Sequence, residues 1–376
     1  MCEKKRETCH ACGVEERHIP SLLKLLNDFN PKITESVLRY SVFENPDLKR
    51  YADLIPPGVV LECDGKVCGF SALFPMEYFY KQQSICFVAT GMTYVAPDYR
   101  DYSVDKYMFI LDLPCAVVFS NSVNFRSSQL AAAMRYIPGP ASCSCRRFAV
   151  PVFSEFILYI IRSKFPFLRF LPAFLSRVLF APIDWWRESR RSRHVFTSGT
   201  ERRELYTIDR MLFEEFNRAL IAGNQGFIRS RRPEILKYLF EKRLFSKQDV
   251  LIGRFDRTGK LLGYIALRQG RARYAGHTMI MDWVALDNRL DILTDLLYDA
   301  LEFARRHRCG MLSLFGYPDC VQQVIQTVFP GRRNLPNCNF YYKFLDTGLF
   351  RRCRDEMNDS WFFGPFDGDA VLSNFE

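Results

Sequence analysis

Apolar residues recur at helical spacing in Ile19 to Leu26 and Lys32 to Phe43, and again in Met211 to Ala222 and Pro233 to Phe240, so each stretch predicts a helix. Between them the pattern changes to runs rich in β-branched and aromatic residues. Gly58 to Cys63 and Val67 to Tyr80 flank Asp64-Gly65, a dipeptide suited to a tight hairpin turn, and predict two paired strands. Val250 to Phe255 and Leu261 to Arg268 flank a second turn at Asp256 to Gly259. A further strand is predicted at Ile85 to Val95 and at Thr278 to Leu286, leading into helices at Val104 to Leu111 and Leu290 to Arg305. A last strand, Cys115 to Phe119 or Met311 to Phe315, passes through a polar turn into a short helix from Asn124 or Asp319.

The order occurs twice, and residues repeat with it. Leu38-Arg39-Tyr40 followed by Phe43-Glu44 is matched by Leu236-Lys237-Tyr238 followed by Phe240-Glu241. Gly65 to Leu73 aligns without a gap with Gly259 to Leu267, an offset of 194, and Met92 to Arg100 aligns with Met281 to Arg289, an offset of 189. Three landmarks in one order define a duplicated unit of about 145 residues. The expected organisation is a tail over residues 1–14, a first domain over 15–148, a linker over 149–204, a second domain over 205–345 and a tail over 346–376. The fold class is α+β.

Composition bounds this picture. The 376 residues are 48% hydrophobic and 25% charged, which excludes a disordered or collagen-like chain. The formal charge of +10 is compatible with anionic partners. The linker is the apolar exception: residues 153–186 are rich in Phe, Leu and Ile but broken by Arg162, Lys164, Arg169 and Arg177, and are followed by an arginine run. That composition fits either an interfacial amphipathic helix on a membrane surface, through residues 153–193, or buried helices between two domains. The charged opening Met1 to Arg6 shows no secretory h-region, and no stretch of about 18 residues lacks charge, so a cytoplasmic protein, peripheral at most on the inner membrane face, is expected. The 13 cysteines are accordingly expected to be mainly free thiols.

The order of elements, with Val95-Ala96-Pro97-Asp98-Tyr99-Arg100 at a strand-to-helix step, resembles the GNAT (GCN5-related N-acetyltransferase) superfamily in a tandem-domain form. Asn121 to Asn124, after the Val117 to Phe119 strand, is similar to that family's Asn at the start of its last helix. The resemblance covers most of both copies and implies acetyl-CoA or another acyl-CoA as co-substrate. In that family a splayed strand offers backbone amides to the thioester, and successive N–H groups at the next helix start hold the pyrophosphate. Carried over, this implies contacts at Met92, Thr93, Tyr94, Val95, Arg100, Asp101, Tyr102, Ser103, Val104 and Asn124.

Two departures matter. Where the family has glycines after the Arg, this chain has Asp101 to Asp105, and the Tyr often found seven residues after the helix-start Asn is Ala131. Proton donors are then sought at Tyr94, Tyr99, Tyr136 and Cys115, with Tyr94 and Tyr136 expected to be catalytic alongside Glu77, the expected base. Asp282, the counterpart of Glu77 in the second copy, and Tyr317 are the expected substrate contacts. The second copy's Arg289 to Asp295 is also glycine-free and more apolar, so any acyl-CoA is expected in the first copy.

The implied activity is N-acyl transfer to a primary amine of a small molecule or sugar, with cell-envelope polysaccharide synthesis one setting. The alternatives are a donor carried by an acyl carrier protein or by tRNA, the one nucleic acid considered, and a binding module without catalysis. Cys9-His10-Ala11-Cys12, with Cys2 and His18 nearby, has zinc-ligand chemistry, but the only further spaced pair is Cys143 and Cys145. Free thiols in a terminal tail are the expectation there, and no metal is expected. The closing aromatics, Trp361 to Phe366, predict a tail docked on a domain, with Asp367 and Asp369 in a turn.

Overall fold

The computed structural model describes residues 8–30, 33–123, 125–139, 148–152, 181–182, 198–241, 249–270, 276–307, 309–314, 319–329, 333–334, 339–362, 364 and 366–367. The linker residues 153–180 and 183–197, and with them the membrane-surface expectation, lie outside these, as do Asn124, Tyr317 and Cys143 to Cys145. Among the described residues no helix is long and apolar enough to cross a membrane.

The first half runs β1 (Cys9–Gly13), α1 (Ile19–Phe29), α2 (Glu35–Val42), α3 (Pro46–Arg50), β2 (Gly58–Cys63), β3 (Lys66–Tyr80) and β4 (Gln83–Val95). It continues through α4 (Ser103–Leu111), β5 (Val117–Val123), α5 (Phe125–Ala133), β6 (Ile137–Pro138) and β7 (Phe148–Pro151). The second half opens with β8 (Glu201–Leu205), α6 (Arg210–Gly223), β9 (Phe227–Arg229), α7 (Pro233–Leu236), β10 (Asp249–Phe255), β11 (Leu261–Gln269) and β12 (His277–Ala285). It closes with α8 (Leu290–Arg306), β13 (Met311–Leu314), α9 (Asp319–Val328), β14 (Arg333–Asn334), β15 (Asn339–Phe344), α10 (Thr347–Ser360) and β16 (Trp361–Phe362). Asp64 and Gly65 adopt φ of 50° and 76°, the left-handed pair a two-residue hairpin turn requires. Lys81 and Gln82 close the β3–β4 hairpin in the same way, at φ of 48° and 66°, without a glycine.

The strands form two mixed sheets, in the orders β1-β2-β3-β4-β5-β15-β6 and β14-β7-β13-β12-β11-β10-β8, with β9 and β16 attached beside β3. Each sheet borrows a strand from the other half. β15, from the end of the second half, lies antiparallel between β5 and β6, while β7, from the end of the first, lies between β13 and β14. The expected boundaries at 148 and 345 therefore cut across the sheets: β15 completes the first sheet, and β7 the second. Within the stretches expected as tails, β1 is an edge strand paired with β2, and β16 pairs in parallel with β9.

Alternation divides the first sheet into two faces. Val59, Leu73, Val88 and Val118 lie under Ile110 of α4 and Ala131 of α5. The opposite face, with Phe70, Ala72, Phe87 and Phe119, joins one continuous core that reaches Phe216, Trp283 and Leu297 in the second half. Trp361 sits in this core, edge-on to Tyr78, Phe87, Phe119 and Tyr342. The docked tail is pinned further by Asp367, which is fully buried and accepts hydrogen bonds from Tyr78 Oη at 2.6 Å and from the Gly364 N–H at 2.9 Å.

A buried polar seam ties the halves together. Arg232 Nη2 stands 2.6 Å from Asp47 Oδ1, and Arg229 Nη2 stands 3.5 Å from Asp47 Oδ2, so two arginines of the second half neutralise one fully buried aspartate of the first. Tyr40 and Tyr238, a pair the repeat sets equivalent, stack with centroids 4.8 Å apart, and each hydroxyl donates to the other's backbone carbonyl.

Candidate active site

Strands β4 and β5 run parallel only over Phe87–Val117, Val88–Val118 and Ala89–Phe119, and then part. Thr90 Oγ1 donates to the Phe119 carbonyl at 3.4 Å where the ladder stops. Just beyond, β4 bulges: Phe70 faces Tyr94, but Ala72 faces Gly91, so three steps along β4 match two along β3. Met92 takes up the extra residue with a left-handed φ of 46°, a conformation that costs a non-glycine residue about 1 kcal/mol. The bulge interrupts the regular β3–β4 ladder next to the point where β4 and β5 part. Ser71 and Thr93 hydroxyls meet across it at 2.9 Å.

The second half repeats the geometry. Ala266 faces Asp282 and Leu267 faces Ile280, which leaves Met281 as the extra residue of β12, and the β12–β13 ladder stops at Met279–Ser313. Met92 and Met281 are the two residues that the internal alignment placed together. The openings differ in access. Residues 281–285 are all buried, whereas Thr93 is exposed and Met92, Tyr94, Val95 and Ala96 are half-buried. In the second half, Asp282 is held by Arg231 Nη2 at 3.0 Å and by the Tyr264 hydroxyl, and the Trp283 indole donates to the Leu293 carbonyl at 3.1 Å. The second bulge is thus buried, and Asp282, the expected substrate contact, lies there as an ion-pair partner of Arg231.

The step into α4 shows what the missing glycines do. Residues Pro97–Tyr102 wind into a 3₁₀ helix that runs directly into α4. The Tyr99 N–H bonds the Ala96 carbonyl and the Ser103 N–H bonds the Arg100 carbonyl, so these amides are already satisfied within the chain. Arg100, Asp101 and Val104 are exposed, and Tyr102 and Ser103 half-buried. Tyr102 also packs with Tyr99 and Val95 over Leu61 and the Cys9–Cys63 disulfide.

Glu77 is not at the opening. It lies opposite Cys86, five residues along β3 from Ala72, roughly 17 Å at a strand's rise. It is buried, with Arg50 Nη2 at 2.7 Å and Arg232 Nε at 3.4 Å, and accepts from Ser84 Oγ at 2.9 Å. A carboxylate so engaged is part of the seam between the halves. Tyr136 is also buried, near Cys115 and Tyr107, and burial pushes its phenol up, so it stays protonated through neutral pH. Tyr94, half-buried on the open stretch of β4, is the one expected catalytic residue that the structure sets at the opening.

One residue there was not foreseen. Lys106, in the first turns of α4, is fully buried and donates to the Phe70 carbonyl, beside the bulge, at 3.3 Å. It has no acidic partner among the described residues, and burial lowers it to about 7. A lone Lys in an amphipathic helix carries no sequence signal of this; only the packing of α4 on β3 shows it.

No protein-family model and no curated protein matches the sequence. Solved structures do match it. A GCN5-related N-acetyltransferase from Anabaena variabilis superposes with a TM-score of 0.58 at 15% identity, over 90% of this chain and 73% of that one. A probable N-acyltransferase from Enterococcus faecalis gives 0.59 at 12% identity, over 91% and 74%. Saccharomyces cerevisiae N-myristoyltransferase with bound myristoyl-CoA gives 0.50 at 13% identity, over 91% and 85%. The architecture is thus the GNAT fold, in two halves of one chain, as the sequence resemblance implied.

Proposed function

We propose that this chain is an acyl-CoA-dependent N-acyltransferase that works from its first half. The observation that supports this most is the asymmetry of the two openings: both halves carry the splay and the bulge, and only the first leaves the bulged stretch accessible. Backbone amides next to Met92 would hydrogen-bond the thioester carbonyl and stabilise the oxyanion as a primary amine attacks. The C–S bond then breaks, and the proton lost by the amine ends on the departing thiolate, with Tyr94 the nearest expected donor. The acceptor is an amine of a small molecule or sugar.

The test is isothermal titration of the full chain with acetyl-CoA and with longer acyl-CoAs, beside a Thr93→Trp variant that fills the opening from an exposed position. The reading expects one binding site and at least about a tenfold loss in the variant, equal to roughly 1.4 kcal/mol. Equal binding by both proteins would refute the placement.

The 3₁₀ winding of Pro97–Tyr102 favours a second reading, in which the donor is carried by an acyl carrier protein or tRNA and no pyrophosphate is cradled. Failure to bind any free acyl-CoA, together with salt-sensitive tRNA binding or co-elution with an acyl carrier protein, is its signature.

A further inference from the structure

The Cys-x-x-Cys at residues 9–12 does not act as a pair. In β1, successive side chains alternate between faces, so Cys9 and Cys12 point to opposite sides of the strand. Cys9 bonds its cross-strand partner Cys63 in a disulfide. The other face brings together His10 and Cys12, two residues apart on β1, and Glu62, directly opposite His10 on β2.

From this arrangement we infer that His10, Cys12 and Glu62 form a divalent-metal site of the zinc type, with His18 as the residue that positions Glu62. One ligand atom from each of the three lies within 4.8 Å of the others. His10 Nε2 is 3.4 Å from Glu62 Oε2, and Cys12 Sγ is 3.6 Å from the same oxygen. Tetrahedral zinc with its usual bond lengths separates an N/O ligand pair by about 3.4 Å and an S/O pair by about 3.6 Å. The donor set of imidazole, thiolate and carboxylate suits zinc better than magnesium or calcium, which take oxygen.

A second observation points into the cluster. His18, at the start of α1, is 3% exposed, and its Nδ1 accepts a hydrogen bond from the Glu15 N–H at 2.9 Å. The ring proton of the neutral imidazole is thereby set on Nε2. That atom is buried without a hydrogen-bond partner and stands 3.5 Å from Glu62 Oε1. Glu62 itself is largely buried, and its ion-pair contacts among the described residues are the two histidines, with Arg17 acting on it electrostatically from farther off. A cation between Glu62, His10 and Cys12 would place a positive charge in direct contact with the carboxylate, and the His18 N–H would fix the carboxylate that holds it, as outer-shell partners of metal ligands do. The His10 side chain is 62% exposed, which leaves an entry path and a fourth position for water. The site joins β1, β2 and the start of α1, so its role is to clamp the edge strand.

The test uses the full chain, stripped with chelator and titrated with zinc alone, and in parallel with cobalt as a spectroscopic probe. The proposal expects one equivalent of zinc and a sulfur-to-cobalt charge-transfer band. The band should vanish in Cys12→Ser and persist in Cys86→Ser. Zinc affinity should fall by about tenfold or more in His10→Ala and Glu62→Gln, and by a similar factor in His18→Gln, which should keep the band. His10 is exposed, so His10→Ala serves as the folded control. No zinc uptake, a band that survives Cys12→Ser, or an affinity indifferent to His10→Ala overturns the site and assigns any zinc to other cysteines.

Discussion

Replacing Lys106 by Met should stabilise the protein, and by an amount that depends on pH. Burial lowers the ammonium from 10.5 to about 7 in the folded chain. The unfolded chain therefore holds the proton more tightly, and between pH 7 and 10.5 the unfolded state carries more protons, so stability rises with pH across that window. Worked through, the burial penalty is roughly 4 kcal/mol at pH 7 and about 2 kcal/mol at pH 9. Met conserves the volume but forfeits the hydrogen bond to the Phe70 carbonyl, worth about 1 kcal/mol. The variant should then exceed the wild type by roughly 3 kcal/mol at pH 7 and by about 1 kcal/mol at pH 9. Urea denaturation of both proteins at the two pH values, followed by tryptophan fluorescence, reads the difference directly. A gap that does not change with pH, or a less stable variant at pH 7, would refute the reasoning and imply that Lys106 is hydrated or paired in the folded chain.

Three other outcomes follow from the same geometry. Met92→Gly should keep or raise stability by up to about 1 kcal/mol, since glycine accepts the left-handed bulge, whereas Met92→Val should lower both the melting temperature and acyl-CoA affinity. Asp282→Asn removes the carboxylate that pairs directly with buried Arg231, leaving only the more distant Asp367, and should cost about 3 kcal/mol in denaturant titration, with little effect on ligand binding at the first half. Glu77→Gln should leave acyl-CoA affinity unchanged while unfolding at lower urea; a selective loss of turnover in an intact fold would return Glu77 to catalysis.

Much of the local architecture was legible from residue order. The Asp64-Gly65 turn, the strand and helix stretches and the equivalence of Met92 with Met281 all depend on near-neighbour chemistry: backbone conformations that glycine permits, and the alternation or 3.6-residue period of apolar side chains. The resemblance at Val95 to Arg100 pointed to the right fold for the same reason, because the strand-to-helix step is a local motif.

Four features required the folded chain. The exchange of β7 and β15 is a choice of partner between strands from distant parts of the chain, such as Leu312 with Val150 and Tyr342 with Phe119, and alternation along a strand is indifferent to which neighbour it acquires. The sequence offers Glu77 as a strand carboxylate with no visible partner, and Arg232 reaches it only from the other half. Lys106 looks like a helix-surface cation until α4 lays it against β3. The Cys9 to Cys12 motif looks like one cluster until the strand's period of two sends Cys9 to Cys63 and turns His10 and Cys12 toward Glu62. Local conformation is settled by each residue's own sterics and by its immediate neighbours, whereas the state of a charge or a thiol depends on what long-range packing places a few ångströms away.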